Sequence, residues 1–349
     1  MHDVIAWLAL TSFVAYVAIA IAGGGGRSLS LTYPVGASLV GLLCYLRSPA
    51  LYFGFTWWVW LLTPFVRRIF DLRYGFHPTS TLLLAPLTVT LLSVFTVIRY
   101  RRMLRASIYS PFLMAFAALT YGYMIGVMRQ SAVAATYDLL VWLCPMFFGL
   151  HLAMNWRQFA ELRQTIVASA LWGLLVVSLY GIYQFVQPPV WDRAWVVSAE
   201  MASVGLPVPF VIRIFSTVNA PGPLAVLLVV SILLGLSGKQ RWRFIALALG
   251  LVALLLTRGR AAWGALLVGG LLLQLRQPLR SIPRQWIALV VVVLLAAPVL
   301  TQPRFVRIVS ERAATLVNLG ADRSLQTRVT SSRDYLHRLT ENPAGRGLG

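Results

Sequence analysis

Charged residues are scarce in this chain of 349 residues. Only 11% of the residues are charged and 59% are hydrophobic, whereas soluble domains average about 25% charged residues. So little polar surface cannot cover a water-soluble globule, which excludes the soluble classes and indicates the bilayer as solvent. The formal net charge is +20, but the basic residues fall between apolar runs, as loop charges of membrane proteins do. We therefore expect no nucleic-acid partner.

The chain also lacks the residue patterns of common metal and nucleophile sites. Its two cysteines, Cys44 and Cys144, both lie inside apolar runs, where they predict neither a disulfide framework nor a CxxC site. No HExxH, DxD-type carboxylate pair, Cys/His cluster or GxSxG elbow occurs. The glycine run at 23–26 has no GKS or GKT sequence after it. We expect no metal and no cofactor.

Long apolar runs are what the chain does contain. A hydrocarbon core about 30 Å thick needs roughly 20 apolar residues per helix, and open strands cannot expose unpaired backbone to lipid. The sequence thus predicts an all-α polytopic membrane protein with about eleven spans. They lie near 4–22, 29–46, 50–66, 79–98, 108–128, 132–154, 164–186, 218–237, 243–257, 261–275 and 286–300. Helical spacing of apolar residues at 305–316 and 325–339 predicts amphipathic C-terminal helices.

Arginines in short loops indicate an orientation. With a cytoplasmic N-terminus, one set of loops holds Arg47, Arg99, Arg101, Arg102, Arg105, Arg157, Arg163, Lys239, Arg241, Arg243, Arg276, Arg280 and Arg284. The opposite set holds Arg27, Arg129 and the group Arg67, Arg68 and Arg73, which works against the bias. This orientation puts loop 187–217 and the C-terminal tail on the periplasmic or outer side.

The longest polar interruption before the tail, residues 180–227, contains a candidate phosphate site. Ser216, Thr217 and Asn219 precede Pro221 at the start of an apolar run, so Asn219 is predicted to cap a helix whose N-terminus points outward. The N–H groups at such an N-terminus can bind a phosphate, and the planar guanidinium of Arg213 can donate two hydrogen bonds to phosphate oxygens. The alternative is ordinary capping, with Arg213 reaching a lipid headgroup.

A second candidate is the turn Thr257-Arg258-Gly259-Arg260 between two short apolar runs. It opens another helix at the same side, and two arginines so close to hydrocarbon are costly unless an interface or an anionic ligand accommodates them. Together the three arginines describe a site for a lipid-linked diphosphate. The alternative is a hairpin turn anchored by headgroup contacts.

Aromatic and acidic residues follow Pro188 and Pro189. Trp191 and Trp195 could stack on sugar faces, and Asp192 or Glu200 could accept a proton from an attacking hydroxyl. Tryptophans at this depth also form the interfacial belt of ordinary membrane proteins, so both interpretations stay open.

The segments YGIYQF, PPVWD, RIFSTVNAPGPLA, LLLTRGRAAWGALLVG and ENPAGRGLG together resemble the O-antigen ligase and polysaccharide polymerase superfamily of bacterial inner-membrane proteins. The resemblance covers roughly residues 110–349. It divides the chain into N-terminal helices (1–107), a family-like core (108–300) and the start of a large external loop (301–349). It also implies a continuation beyond Gly349, with a catalytic His and further helices, so we expect the chain to be incomplete.

The resemblance implies a metal-independent inverting glycosyltransferase. It would move a glycan from undecaprenyl diphosphate to an acceptor hydroxyl, on a growing glycan or on lipid A-core. In that reading Arg213, Arg258 and Arg260 are catalytic, and Trp191, Asp192, Ser216, Thr217 and Asn219 bind substrate. The alternative function is a transporter or flippase for a lipid-linked oligosaccharide or a small anion, which should show paired internal repeats; none is visible.

Overall fold

A computed structural model describes residues 2–23, 26–275, 323–341 and 344–349. These residues form helices and contain no β-strand, with 81% of the structure helical. The all-α prediction is confirmed.

Thirteen α-helices make up the described part of the chain. They are α1 (His2–Gly23), α2 (Leu29–Arg47), α3 (Pro49–Tyr74), α4 (Leu84–Leu91), α5 (Val94–Arg99), α6 (Ser110–Arg129), α7 (Ala132–Met154), α8 (Phe159–Val186), α9 (Val190–Ser198), α10 (Pro221–Leu236), α11 (Arg243–Leu256), α12 (Arg260–Leu275) and α13 (Arg323–Glu341).

Six helical segments in the described ranges are long and apolar enough to cross a bilayer. They are Val4–Gly23, Leu29–Arg47, Thr81–Arg99, Ser107–Arg129, Ala132–Met154 and Trp156–Val186. Helices α10 and α11 have 16 and 14 residues, so at about 1.5 Å per residue they fall short of a core about 30 Å thick. The described part of α12 has 16 residues. The count of eleven spans is therefore not confirmed. The predicted segments 286–300 and 305–316 lie outside the described residues, whereas the helix predicted near 325–339 is present as α13.

Helix α8 lies at the centre of the larger hydrophobic core. Its residues Leu171, Leu174 and Val177 are fully buried among side chains of α10 and α11, such as Leu228 and Ala253. Helix α3 packs on another side of α8. A second core joins α1 to α4. Large apolar side chains cover much of the outside, including Leu8, Ile19, Met128 and Leu267, as expected for a surface that faces lipid.

Glycines allow the helices around α8 to approach closely. A Cβ built on Gly250 of α11 would lie 2.6 Å from Leu174 Cδ1, and one on Gly235 of α10 would lie 2.8 Å from Leu171 Cδ2. Both leucines are fully buried, so neither has room to move away. The fit of α10 and α11 against α8 therefore depends on these two positions.

The connections between the long helices fall at two ends of the bundle. We call the end that holds residues 26–30, 75–80, 187–220 and 257–259 the α9 end. Contacts such as Thr81 Oγ1 donating to Ser30 O and Arg213 donating to Thr257 O join its segments. The opposite end holds residues 100–109, 155–158 and 237–242.

The arginines at the two ends differ in exposure. At the opposite end the exposed basic residues are Arg47, Arg99, Arg101, Arg102, Arg105, Arg157, Arg163, Lys239 and Arg241. At the α9 end, Arg67 and Arg68 are 5% and 0% exposed, and Arg67 pairs with Asp71 at 3.1 Å. Two arginines of the group that worked against the loop bias are therefore part of the protein interior.

We predict that Gly250→Val lowers the stability of the detergent-solubilised protein by about 1–3 kcal/mol, because overpacking forces the buried Leu174 from its place. Gly264→Val on α12 is the matched control, since no atom lies within 4 Å of a Cβ built there. Thermal unfolding followed by circular dichroism measures both variants. Equal melting temperatures for the two variants would show that α11 does not pack on α8 as described.

Candidate functional site

A buried ion pair lies at the α9 end. Arg68 Nε of α3 is 2.9 Å from Asp192 Oδ1 of α9, and both side chains are 0% exposed. Burial raises the pKa of the Asp192 carboxyl, while Arg68, Tyr180 and Gln184 oppose this by favouring the carboxylate. The pair therefore has the partners that a buried charge needs.

Two side chains of helix α8 donate hydrogen bonds to the carboxylate of this ion pair. Tyr180 Oη and Gln184 Nε2 both donate to Asp192 Oδ2, at 2.7 and 2.5 Å. Trp191 Nε1 donates to Tyr180 Oη at 2.7 Å. Tyr180 and Gln184 lie four residues apart, so both point from one face of α8 toward α9. The start of α9 is thus fixed to α8 by three hydrogen bonds.

The same network shapes the loop that leads into α10. Gln184 Oε1 accepts from the backbone N–H groups of Phe215 and Ser216, both at 3.0 Å. Arg68 donates to the carbonyls of Ser216 and Val218, and its guanidinium lies 4.8 Å from the centre of the Phe215 ring. These bonds hold Ser216 at a φ of 50°, a conformation that is uncommon for a residue with a side chain.

Arg213 and Arg258, which the sequence placed in one site, lie on two segments that bind each other. Arg213 Nε and Nη2 donate to Thr257 O at 3.1 and 3.0 Å, and Arg213 Nη1 donates to Ser203 O. In return Arg258 Nη2 donates to Val211 O at 3.0 Å. Thr257 caps the C-terminus of α11, where a cation is favoured by the helix dipole. These bonds orient both guanidinium groups.

Two helix N-termini start beside these arginines. Helix α10 begins at Pro221 and α12 begins at Arg260, and a Cβ on Gly259 would lie 3.5 Å from Ala225 Cβ in the second turn of α10. We call Arg213, Arg258 and Arg260 the arginine cluster; all three are partly exposed. The cluster thus places three guanidinium groups next to two positive helix ends.

The predicted cap of α10 is wrong in detail. The N-cap residue is Ala220, which makes no side-chain cap, because the chain enters the helix one residue later than the Asn219 pattern indicated. Asn219 Oδ1 and Thr217 Oγ1 are buried atoms without a hydrogen-bond partner in the described part of the chain. Ser216 is fully buried and its Oγ donates to Val177 O. Among the described residues, Thr217 and Asn219 thus have side-chain oxygens without a hydrogen-bond partner, whereas the Ser216 hydroxyl has one.

The acidic and aromatic candidate residues differ in their exposure to solvent. Asp192 is completely enclosed, whereas Glu200 is exposed. Trp191 is partly buried with its ring edge-on to Phe65, and Trp195 is 5% exposed beside Phe215. The prediction that Asp192 contacts substrate does not fit this conformation, because every face of its carboxylate meets protein. Its position supports a structural role.

The glycine-rich end of the chain, residues 344–349, lies against α6. Leu348 N donates to Gly122 O, and Gly349 N donates to Asp138 Oδ2 at 3.0 Å. A Cβ at Gly126 would overlap the backbone of Leu348, so the contact needs glycine there. Asp138, an acidic residue in an apolar run, thus receives a backbone partner near the start of α7.

Sequence reasoning missed Arg68, Tyr180 and Gln184. Arg68 stands near the end of an apolar helix, where an ionisable residue signals a buried partner, but the sequence does not say which carboxylate it meets. In the described ranges, no three His, Cys, Asp or Glu side chains come close enough to share a metal ion.

Comparisons of this chain with protein-family models, with curated proteins and with solved structures gave no match.

We predict that Arg68→Met and Asp192→Leu each destabilise the protein by about 3–5 kcal/mol, because each leaves a buried charge without its partner. The double variant should lose clearly less than the sum, since it removes both charges together. Thermal melts and yield in detergent measure the three proteins.

Arg73→Gln and Arg193→Gln are the controls, because these arginines are exposed on the same two helices. Strict additivity of the two core substitutions would contradict a direct pair between Arg68 and Asp192.

Proposed function

We propose that this protein is a multi-pass membrane glycosyltransferase of the O-antigen ligase or polysaccharide polymerase type. It would transfer a glycan from undecaprenyl diphosphate to a hydroxyl of a glycan or lipid A-core acceptor. The observation that carries the proposal is the arginine cluster beside the N-termini of α10 and α12. Guanidinium groups and helix N-termini both favour phosphate oxygens.

The cluster suits the leaving group of this reaction. The acceptor oxygen forms a bond to the anomeric carbon, the bond from that carbon to the diphosphate oxygen breaks, and negative charge grows on the diphosphate. Groups that are oriented before the reaction stabilise such charge without reorganising. Arg213 and Arg258 are oriented by backbone carbonyls, which supports this role.

The proton of the acceptor hydroxyl needs a base. Of the two carboxylates that the sequence offered, Asp192 is enclosed and Glu200 is exposed at the α9 end, so we retain Glu200. Thr217 and Asn219, with unpartnered acceptor atoms among the described residues, are the proposed contacts to substrate hydroxyls. Trp191 is the proposed sugar contact, through the part of its ring that stays exposed.

Location and orientation belong to the same proposal. The six long apolar helices suggest a membrane protein, and we assign it to the bacterial inner membrane. The exposed arginines are more numerous at the end opposite α9, which supports a cytoplasmic position for that end. The arginine cluster then faces the periplasm, where carrier-linked glycans would reach it from the outer leaflet.

We predict that Arg258→Gly and Arg260→Gln each weaken binding of undecaprenyl diphosphate on the order of tenfold, and reduce glycan transfer on the order of 10²–10³-fold. Glycine suits position 258 because the φ there is 53°, so this variant removes the guanidinium without straining the turn. Binding is measured in nanodiscs with undecaprenyl diphosphate, and transfer is measured with a carrier-linked glycan.

Arg193→Gln is the matched control, since Arg193 is an exposed arginine of α9 at the same end. Undecaprenyl monophosphate tests whether both phosphates are bound. Wild-type affinity in both cluster variants, with folding intact, would remove the diphosphate role.

We predict that a cysteine at Ser203 reacts with a membrane-impermeant maleimide in intact cells, because Ser203 is exposed at the α9 end. A cysteine at Ser237, which is exposed at the opposite end, should react only after permeabilisation. The native Cys44 and Cys144 are buried, so they give a low background. Labelling of Ser237→Cys alone in intact cells would reverse the orientation.

A further inference from the structure

An apolar cleft opens at the end opposite α9. It has a volume of about 500 Å³ and lies between the segment 101–109, the first turn of α6 and the end of α7. Its lining residues are Met103, Ala106, Ile108, Tyr109, Phe112, Ala153 and Trp156. The volume falls in the range of pockets that bind small ligands.

Arginines are adjacent in sequence to residues that line this cleft. The segment Arg101–Arg105 is a 3₁₀-helix, which has three residues per turn, so Arg102 and Arg105 share one face of it. Met103 and Ala106 line the cleft, and each directly follows one of these two exposed arginines in the chain. We call the exposed arginines near the cleft its edge. Arg157 follows the lining residue Trp156 and lies 6.0 Å from the centre of its ring.

The charge of this edge has no carboxylate partner in the described part of the chain. Arg101, Arg102, Arg105 and Arg157 are exposed, and the ion pairs among the described residues involve none of them. Glu161, the nearest acidic residue in sequence, points into solvent on the first turn of α8. An anion from outside the chain would neutralise the positive charge of these arginines.

We propose that this cleft binds one anionic phospholipid, with an acyl chain against the apolar lining and the phosphate against Arg102 and Arg105. A basic edge over an apolar pocket between transmembrane helices is the arrangement that selects anionic headgroups. Trp156 and Ile108 are 60% and 77% exposed, so the cleft is open toward the surroundings of the bundle. Tyr109 and Trp156 are also residues that favour the depth of the headgroups.

Such a lipid would stabilise the connection between α5 and α6. Residues 100–109 form two short 3₁₀-helices instead of a regular helix, and their packing rests on a small core of Val97, Tyr109, Leu150 and Met154. A ligand that binds the folded state and not the unfolded state raises the free energy of unfolding, and this gain grows with the logarithm of the ligand concentration. The purified protein should therefore melt at a higher temperature when an anionic phospholipid is present.

The test titrates the purified full chain in neutral detergent with phosphatidylglycerol, and in parallel with phosphatidylcholine, while native mass spectrometry counts bound lipids. We expect phosphatidylglycerol to bind with one-to-one stoichiometry and to raise the melting temperature. In Arg102→Gln/Arg105→Gln its affinity should fall on the order of tenfold or more, as expected for two lost charges near a lipid surface. Ala153→Phe, which fills the cleft and keeps the charges, should also lose binding.

The matched control is Lys239→Gln/Arg241→Gln, which removes two exposed charges from another loop at the same end and should bind phosphatidylglycerol like the wild type. Equal binding of phosphatidylcholine, or equal losses in the edge variant and this control, would overturn the site. Inorganic phosphate at millimolar concentration should not reproduce the stabilisation. If it did, the site would be an anion site without an acyl chain, and the proposal would fail.

Discussion

The ion pair between Arg68 and Asp192 is the contact on which the α9 end depends. Desolvating two charges costs several kcal/mol per ion, and only good geometry with further hydrogen bonds offsets that cost. Here Tyr180 and Gln184 satisfy the carboxylate, and the carbonyls of Ser216 and Val218 satisfy the guanidinium. One pair therefore fixes α3, α8, α9 and the loop into α10 relative to one another. The same arrangement positions Arg213 of the arginine cluster, because Arg213 lies in that loop two residues before Phe215.

Arginine has a second use at this end, which is to satisfy irregular backbone. Segments that are not helical near a membrane must find hydrogen-bond partners inside the protein. Arg67 donates to His77 O, Arg213 to Ser203 O and Thr257 O, and Arg258 to Val211 O. A guanidinium has five N–H donors in a rigid fork, so one side chain can bind several carbonyls at once. These arginines at the α9 end therefore have a role in the fold that does not depend on loop charge.

The two ends of the bundle thus use the same residue type differently. Near α9 the side chains of Arg67, Arg68, Arg213 and Arg258 are buried or partly buried and bind backbone carbonyls, so their positions are fixed by the fold. At the opposite end Arg101, Arg102, Arg105 and Arg157 are exposed near an apolar cleft, and the ion pairs among the described residues involve none of them. The first arrangement supports a built site for phosphates, and the second supports contact with the headgroups of the surrounding lipid.

The sequence by itself determined the all-helical class and most helix positions, because apolar runs of sufficient length leave the backbone no other way to satisfy its hydrogen bonds in lipid. It also placed Arg213 and Arg258 at helix boundaries on one side, since helix ends follow from local composition. Only the tertiary structure decided that Asp192 is enclosed, that Arg68 is its partner and that Ala220 precedes α10 as the N-cap. Those outcomes depend on how distant helices pack, and the pairing of two charges far apart in the chain has no signal in local spacing. The packing of α10 and α11 on α8 was likewise decided by the tertiary structure, because their buried side chains meet protein instead of lipid.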